Sequence, residues 1–145
     1  MPRYIVKLTD GQTNYYMDWS TVVDAPATNG CDLEAFVEGY RREYGGKDLA
    51  ERMLRVEAKG TSALMYDNAD ELIAFNRAGP GECPLSKEEI IRFYCKGEEI
   101  NEKHPCWKAR RKALDKVYDE DGGANYEDLE RIFKEHPYED VLPSV

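Results

Sequence analysis

The sequence lacks long apolar runs and is poor in histidine. No apolar run among the 145 residues approaches the roughly 20 residues that a membrane span needs. The first residues also lack the apolar segment of a secretory signal, so we expect a cytoplasmic protein. The two histidines, His104 and His136, stand beside no recognisable serine or cysteine motif. This scarcity argues against a catalytic triad.

The cysteines are few and widely spaced, at positions 31, 83, 95 and 106. In a chain of this size the spacing favours free thiols in a reducing compartment over a disulfide framework. Thiolate and imidazole suit zinc, and a site could be drawn from Cys83, Cys95, His104 and Cys106. However, no two of these cysteines have the short spacing of structural zinc sites, and Cys95 lies in an apolar helical run. We therefore expect no metal and no other cofactor.

Positive charge is also scarce, with 20 basic against 29 acidic residues and a net charge of −9. Between positions 119 and 140 there are nine acidic residues but only two residues with a full positive charge, Arg131 and Lys134. Such a field repels nucleic acid and membrane surfaces and attracts basic proteins or cations. The other explanation of an acidic surface is solubility alone. If the acidity is specific, it predicts a partner with a basic surface.

Alternating apolar and polar residues predict an N-terminal β-hairpin. Residues 4–9 and 14–19 both alternate with the period of a strand. Asp10 and Gly11 between them form a turn signal. Pro26 cannot donate to a strand ladder, so the second strand should end near Val23.

Beyond residue 30 the apolar spacing becomes that of helices. Asp32, Ser86 and Asn125 are each placed to cap a helix, and Ser86 forms a capping box with Glu89. The segment 53–66 fits either a helix or a second hairpin, and its alternating residues favour the hairpin.

These patterns together predict an α+β fold in a single domain spanning residues 1–145. A small N-terminal antiparallel sheet of two hairpins is expected to pack against about five helices, in a helical C-terminal half. Residues 1–30 would form the β-hairpin region, 80–137 the helical region and 138–145 a loose tail.

The segment 119–130 partly matches a calcium-binding loop. Asp119, Asp121 and Glu130 occupy the first, third and twelfth positions. Gly123 replaces an oxygen donor at the fifth position, and Ala124 replaces the glycine of the sixth. A corner between two helices, without metal, is the simpler interpretation.

The helix expected after Pro105 is basic and carries a tryptophan. Its cations are Lys108, Arg110, Arg111, Lys112 and Lys116. Alone, this composition suggests a helix that contacts phosphates. Since these side chains can pair with nearby acidic residues and the net charge opposes nucleic acid, direct nucleic-acid binding is not expected.

Aromatic residues are abundant, at 11% of the chain. Tyr15, Tyr16 and Trp19 fall on both faces of one strand, so they cannot all enter the same core. Either some of them are exposed as anchors for a partner, or helices bury both faces of the sheet.

Three segments carry a resemblance to small bacteriophage accessory proteins. They are Trp19–Pro26, Phe36–Tyr44 with the following glycine, and Phe75–Gly79, and the resemblance covers roughly residues 15–95. It carries no catalytic or binding residues with it. It implies an intracellular phage protein that acts on host machinery or protects against it.

We therefore expect a small, acidic, non-enzymatic protein that blocks or modulates a host protein by covering a basic surface. The residues predicted to contact the partner are Tyr15, Tyr16, Trp19, Asp119, Glu120, Asp121, Glu127, Asp128 and Glu130. Self-association of the chain is compatible with this interpretation. The alternatives are a metal-linked regulator that uses the partial calcium loop and a small enzyme of unrecognised type.

Overall fold

The computed structural model describes residues 3–138, in which a small antiparallel sheet is followed by six α-helices. The fold is α+β with a helical C-terminal half, as predicted. The strands are β1 (Arg3–Thr9), β2 (Asn14–Ser20) and β3 (Ala25–Pro26). The helices are α1 (Leu33–Tyr44), α2 (Leu49–Lys59), α3 (Ala69–Ile73), α4 (Lys87–Ile90), α5 (Cys106–Asp121) and α6 (Tyr126–Glu135). A 3₁₀ turn (Pro80–Glu82) precedes α4, and a π-helical turn (Ile91–Cys95) continues it.

The predicted N-terminal hairpin is confirmed, with β1 and β2 paired along their whole length. The turn is held by Asp10, whose carboxylate accepts hydrogen bonds from the backbone amides of Thr13 and Gln12. These bonds lower the pKa of Asp10 to about 2. The second strand ends at Ser20, earlier than expected, and Pro26 lies in the short edge strand β3, where a missing donor is tolerated.

Helices bury both faces of the sheet. Val6, Met17 and Trp19 on one face pack into a core that also contains residues of α3, of α4 and its π-helical continuation, and of α5. Ile5 and Tyr16 on the other face pack against α1 and α2. The sheet is therefore a central layer, and its aromatic residues on both faces lie in cores.

The outer edge of β1 is closed by the residues that follow α2. The Lys7 amide donates to the Gly60 carbonyl at 2.8 Å, and the Ser62 amide donates to the Ile5 carbonyl at 3.0 Å. Gly60 has φ +85°, and a Cβ there would lie 2.9 Å from the Cβ of Ala69. A glycine is needed at this position both for the left-handed turn and for the close approach of α3.

The second hairpin predicted for residues 53–66 is wrong, because the first half of this stretch, residues 53–59, lies in α2. Leu49, Met53 and Val56 are spaced as one helical stripe and pack into the core beneath the sheet. Leu54, which alternates with Val56 in the sequence, is 73% exposed. The sheet accordingly consists of one hairpin with the two-residue strand β3 added to it.

The predicted helix caps are confirmed at all three positions. The Asp32 side chain accepts from the Ala35 amide, and Ser86 and Asn125 each form a complete capping box. Residues 70–78 are followed by the break Gly79-Pro80-Gly81 and are predicted from the sequence to form a helix, but the helix is shorter, since α3 ends at Ile73. None of the helices in the described part of the chain is long and apolar enough to cross a membrane.

A buried asparagine holds the turn that follows α3. Its Nδ2 donates to the carbonyls of Ile73 and Leu85, and its Oδ1 accepts from the amides of Ala78 and Leu85. Asn76 thereby provides partners for buried backbone groups on both sides of the turn, two of which belong to Leu85.

A buried ion pair joins α4 to α5. The Arg110 guanidinium donates to both carboxylate oxygens of Glu89, at 2.7 and 2.9 Å, and its Nε donates to the His136 carbonyl at 2.8 Å. Only 2% of the Arg110 side chain is exposed. The pair ties three helical segments together.

The predicted loose tail begins with a residue that is well packed. Tyr138 is buried, its ring stacks on Trp107 at 4.8 Å, and its hydroxyl accepts from the Asn101 amide. The prediction was wrong for this residue because burial of its aromatic ring against Trp107 stabilises the segment. The remaining residues of the predicted tail, 139–145, lie outside the described residues.

Candidate functional site

An apolar groove lies between α3 and α6, with a volume of about 570 Å³. Its floor contains the buried side chains of Ile73, Leu85 and Leu129. Phe133 of α6 lines one side. Since α3 and α6 are far apart in sequence, the groove exists only in the folded chain.

Carboxylates surround this apolar floor. Asp70 and Glu71 come from α3, Glu88 comes from α4, and Glu130 comes from α6. Among the described residues that line the groove, Lys87 is the cation, and its Nζ lies 3.2 Å from the Asp70 carboxylate. The rim therefore carries an excess of negative charge.

Tyr126 lies at the mouth of the groove and is 51% exposed. Its ring stacks on Phe75 at a centroid distance of 6.1 Å. Partial desolvation raises the pKa of its hydroxyl, and the nearby carboxylates of Glu71, Asp67 and Asp70 raise it further. An exposed aromatic ring in a negative field is suited to contact a cationic or apolar side chain.

The acidic residues predicted to bind a partner are divided among several places. Glu130 lines the groove, and Glu127 is exposed on the first turn of the same helix. Asp128 is occupied as the cap partner of Asn125. The other three, Asp119, Glu120 and Asp121, lie at the end of α5 outside the groove. Only Glu130 of the six contributes to this site.

Two of the three aromatic anchors predicted on β2 are not available to a partner. Trp19 is 1% exposed, and Tyr16 is buried with its hydroxyl donating to the Glu57 carboxylate at 2.8 Å. Burial and this carboxylate raise the pKa of Tyr16 to about 12. Tyr15 is partly buried against the core. Of the two alternatives, burial by helices on both faces of the sheet therefore holds for Trp19 and Tyr16.

The partial calcium loop does not form. Helix α5 continues through Asp121, so Asp119 and Asp121 are helical and only residues 122–125 connect α5 to α6. Residues 3–138 contain no group of three or more histidine, cysteine or acidic residues placed to hold a metal ion. Residues 122–125 thus form a corner between α5 and α6.

The cysteines carry free thiols. Burial raises the pKa of Cys83 to about 12 and the pKa of Cys106 to about 11. Both thiols stay protonated at neutral pH, which disfavours nucleophilic chemistry.

The basic residues of α5 do not form one continuous basic surface. Arg110 points into the core, and Arg111 pairs with Asp115 at 2.8 Å. The three lysines 108, 112 and 116 are exposed and line a shallow concavity of about 640 Å³. Since Asp115, Asp119 and Glu120 line the same concavity, positive and negative charge are mixed there.

A smaller pocket of about 290 Å³ lies between β2 and α1. Asp18, which is 6% exposed, lines it together with Tyr40 and Tyr44. Burial raises the pKa of Asp18, and Glu43 adds to this effect. The guanidinium groups of Arg3 and Arg52 and the Tyr44 hydroxyl oppose it. Cys31 also lines the pocket, but burial and the carboxylates of Asp32 and Asp18 raise the pKa of its thiol.

This buried carboxylate should make stability fall as pH rises. The unfolded chain releases the Asp18 proton near pH 3.8, while the folded chain holds it to a higher pH. The native state is therefore favoured below this range and loses that advantage as pH rises through the folded-state pKa. We expect Asp18→Asn to be more stable than the parent at pH 7, with a gain that shrinks towards pH 4. Urea unfolding of both proteins from pH 4 to pH 7 measures this, and parallel pH profiles would contradict it.

No protein-family model, curated protein or solved structure matches this chain. The function therefore has to be inferred from the groove, the pocket and the charges around them.

Proposed function

We propose that this chain is a binding protein that holds a basic, amphipathic segment of a partner protein in the groove between α3 and α6. The observation that carries the proposal is an apolar floor enclosed by carboxylates from three helices. Apolar side chains of the segment would be buried against Ile73, Leu129 and Phe133. Its lysines or arginines would reach Glu71 and Glu130 at the rim.

The two parts of the groove contribute differently to binding. Burial of apolar side chains supplies most of the affinity in such interfaces, and aromatic residues near the centre contribute strongly. Tyr126 is the residue of this groove best placed for that role. The carboxylates favour basic segments over acidic ones and speed the encounter at low salt. An amphipathic helix meets both requirements, because it presents apolar and charged side chains on separate faces.

The resemblance to phage accessory proteins supports a more specific form of the same proposal. In that form the chain acts in the cytoplasm of the host cell, and the partner is a host protein whose basic segment is blocked by binding. Nucleic acid is not the proposed ligand, since the chain has a net charge of −9 and the groove rim is acidic.

Charge reversal inside the groove is expected to weaken binding of a basic helical peptide. The probe is a fluorescein-labelled peptide of about four helical turns with leucines on one face and lysines on the other. We expect Glu130→Lys to weaken binding at least tenfold, which corresponds to about 1.4 kcal/mol. Glu71→Lys should have a similar effect from the opposite side of the groove. Fluorescence anisotropy at low and at physiological salt measures both affinities.

The matched control is Glu120→Lys, which changes the net charge equally but lies on α5 outside the groove. It should change the affinity by less than a factor of about three, as expected for long-range charge under screening. A second peptide with glutamates in place of the lysines should not bind. Equal loss of affinity in Glu120→Lys and Glu130→Lys, or no binding of the basic peptide, would refute the groove as the site.

A further inference from the structure

Four charged residues lie along one exposed stripe of α5. They are Lys108, Lys112, Asp115 and Asp119, and their helical spacing places them on the same face of the helix. All of them are exposed, and all of them line the shallow concavity between α5 and the 3₁₀ turn. The order of charge along the stripe is therefore two positive charges followed by two negative charges.

This order of charge is unfavourable within a single copy of the chain. The two lysines lie one helical turn apart, as do the two aspartates, so each of these pairs repels. Within the stripe, Lys112 and Asp115 are the neighbours that attract. The lysines near the N-terminus of α5 and the aspartates near its C-terminus also oppose the helix dipole.

Most of these charges lack a close partner of opposite sign. Neither Lys108 nor Lys112 nor Asp119 forms an ion pair with any of residues 3–138. Asp115 accepts from Arg111 through one carboxylate oxygen, Oδ1, at 2.8 Å. The stripe thus presents charge that groups of another molecule can pair with.

A second copy of α5 in antiparallel orientation provides the opposite charges. A twofold axis midway between Lys112 and Asp115 places Lys108 opposite Asp119 of the second copy, and Lys112 opposite its Asp115. Since such a contact is isologous, each pairing occurs twice. The N-terminal half of each helix then lies beside the C-terminal half of the other, so the helix dipoles also attract.

An exposed aromatic ring lies beside the stripe. Tyr118 is 41% exposed and follows Arg111 by two helical turns, so both lie on the same flank of the stripe. In an antiparallel pair of helices, equivalent flanks of the two copies meet. Tyr118 of one copy would therefore approach Arg111 of the other, and a guanidinium over a tyrosine ring is attractive.

We propose that α5 is the contact surface of a symmetric dimer, in which the stripe pairs with the same stripe of a second copy. A second copy is the partner that fits, because the order of charge is complementary to its own reverse, as a twofold contact requires. Exposed ion pairs contribute little each, and the net charge of −9 makes the copies repel. The dimer is accordingly weak and forms at high protein concentration.

The surface shares no lining residue with the groove between α3 and α6. The groove is proposed to hold a segment of a different protein. Failure of one proposal therefore leaves the other unaffected.

The test is sedimentation equilibrium of the full chain at protein concentrations up to about 1 mM, which detects dissociation constants in that range. We expect a monomer–dimer equilibrium. Asp119→Lys should weaken the dimer at least tenfold, although it reduces the net charge and thus the general repulsion between copies. Lys108→Glu should weaken it similarly. Both reversals suit the helix dipole, so an unfolded helix would not explain the loss.

The two reversals combined test the antiparallel pairing. Lys108→Glu with Asp119→Lys exchanges the charges of one pair and should restore the dissociation constant to within a factor of about three. The matched control is Lys108→Glu with Asp121→Lys, which has the same net charge but places the new lysine away from the stripe, and it should stay weak. A monomeric parent at the highest concentration, a dimer that tolerates both single reversals, or equal rescue by Asp119→Lys and Asp121→Lys would overturn the proposal.

Discussion

Replacing Arg110 by alanine is expected to lower the free energy of unfolding by about 3–5 kcal/mol. The change leaves the buried Glu89 carboxylate without the two charge-assisted hydrogen bonds that compensate it. It also leaves the His136 carbonyl without its donor. Because both side chains are almost inaccessible to water, solvent cannot replace the lost partner. Equilibrium unfolding in urea at pH 7 measures the loss.

The neighbouring arginine provides a matched control. Arg111 pairs with Asp115 across one helical turn, but this pair is exposed, so Arg111→Ala should cost less than about 1 kcal/mol. The double variant Arg110→Met with Glu89→Gln removes both charges while keeping an oxygen for the Ser86 cap. It should recover much of the lost stability. Similar losses in Arg110→Ala and Arg111→Ala would show that the buried pair is not important.

Replacing Asn76 by alanine is expected to cost about 3 kcal/mol or more. Four hydrogen bonds end on this one side chain, and they satisfy buried backbone groups of Ile73, Ala78 and Leu85. Each buried group left without a partner costs about 1–3 kcal/mol. The loss should appear as a lower urea midpoint with little change in the slope of the transition, since the folded core stays similar in size.

Two further substitutions test whether the hydrogen bonds of Asn76 are the cause. Asn76→Asp keeps the oxygen acceptor but removes the two donors and introduces a buried charge, so it should be at least as destabilising at pH 7. Asn14→Ala, at an exposed position on β2, should change stability by less than about 0.5 kcal/mol. If Asn76→Ala resembles Asn14→Ala, the turn is held by other contacts.

The elements predicted correctly are those whose signals are local in the sequence. The hairpin follows from alternation on both sides of Asp10 and Gly11, and the caps follow from single polar residues before helices. For α2 the hairpin was favoured over the helix because Leu54, Val56 and Ala58 alternate within the same residues that form a helical stripe. Packing beneath the sheet decides between the two periods, and a single short segment does not reveal that packing.

The candidate site was only partly predictable for a related reason. Counting charge along the chain identified Glu130 but not Asp70 and Glu71, which approach it only after folding. Tyr126 shares helical spacing with the apolar residues Leu129 and Phe133, yet it is half exposed at the groove mouth. No pattern along the sequence brings α3 and α6 together, so a groove between them could not be predicted.

The burial of Arg110, by contrast, had a usable signal. It follows Trp107 by three residues and precedes Leu114 by four, so it lies on the apolar stripe of α5. Treating it as one of five equivalent cations hid this spacing. A cation at a core position of a helix predicts a buried acidic partner, which here is Glu89.

Strand β1 is synthesised well before the residues that hydrogen-bond to its outer edge. The hairpin is made first, but the Ile5 amide finds its side-chain acceptor 57 residues later, at Ser62. At roughly 5–20 residues per second, a growing chain carries this strand with a bare outer edge for several seconds. Such an edge can pair with other nascent chains, and Lys7 is the kind of residue that discourages it. The residues after α2 thus complete the hydrogen bonding of β1 only once they too have been synthesised.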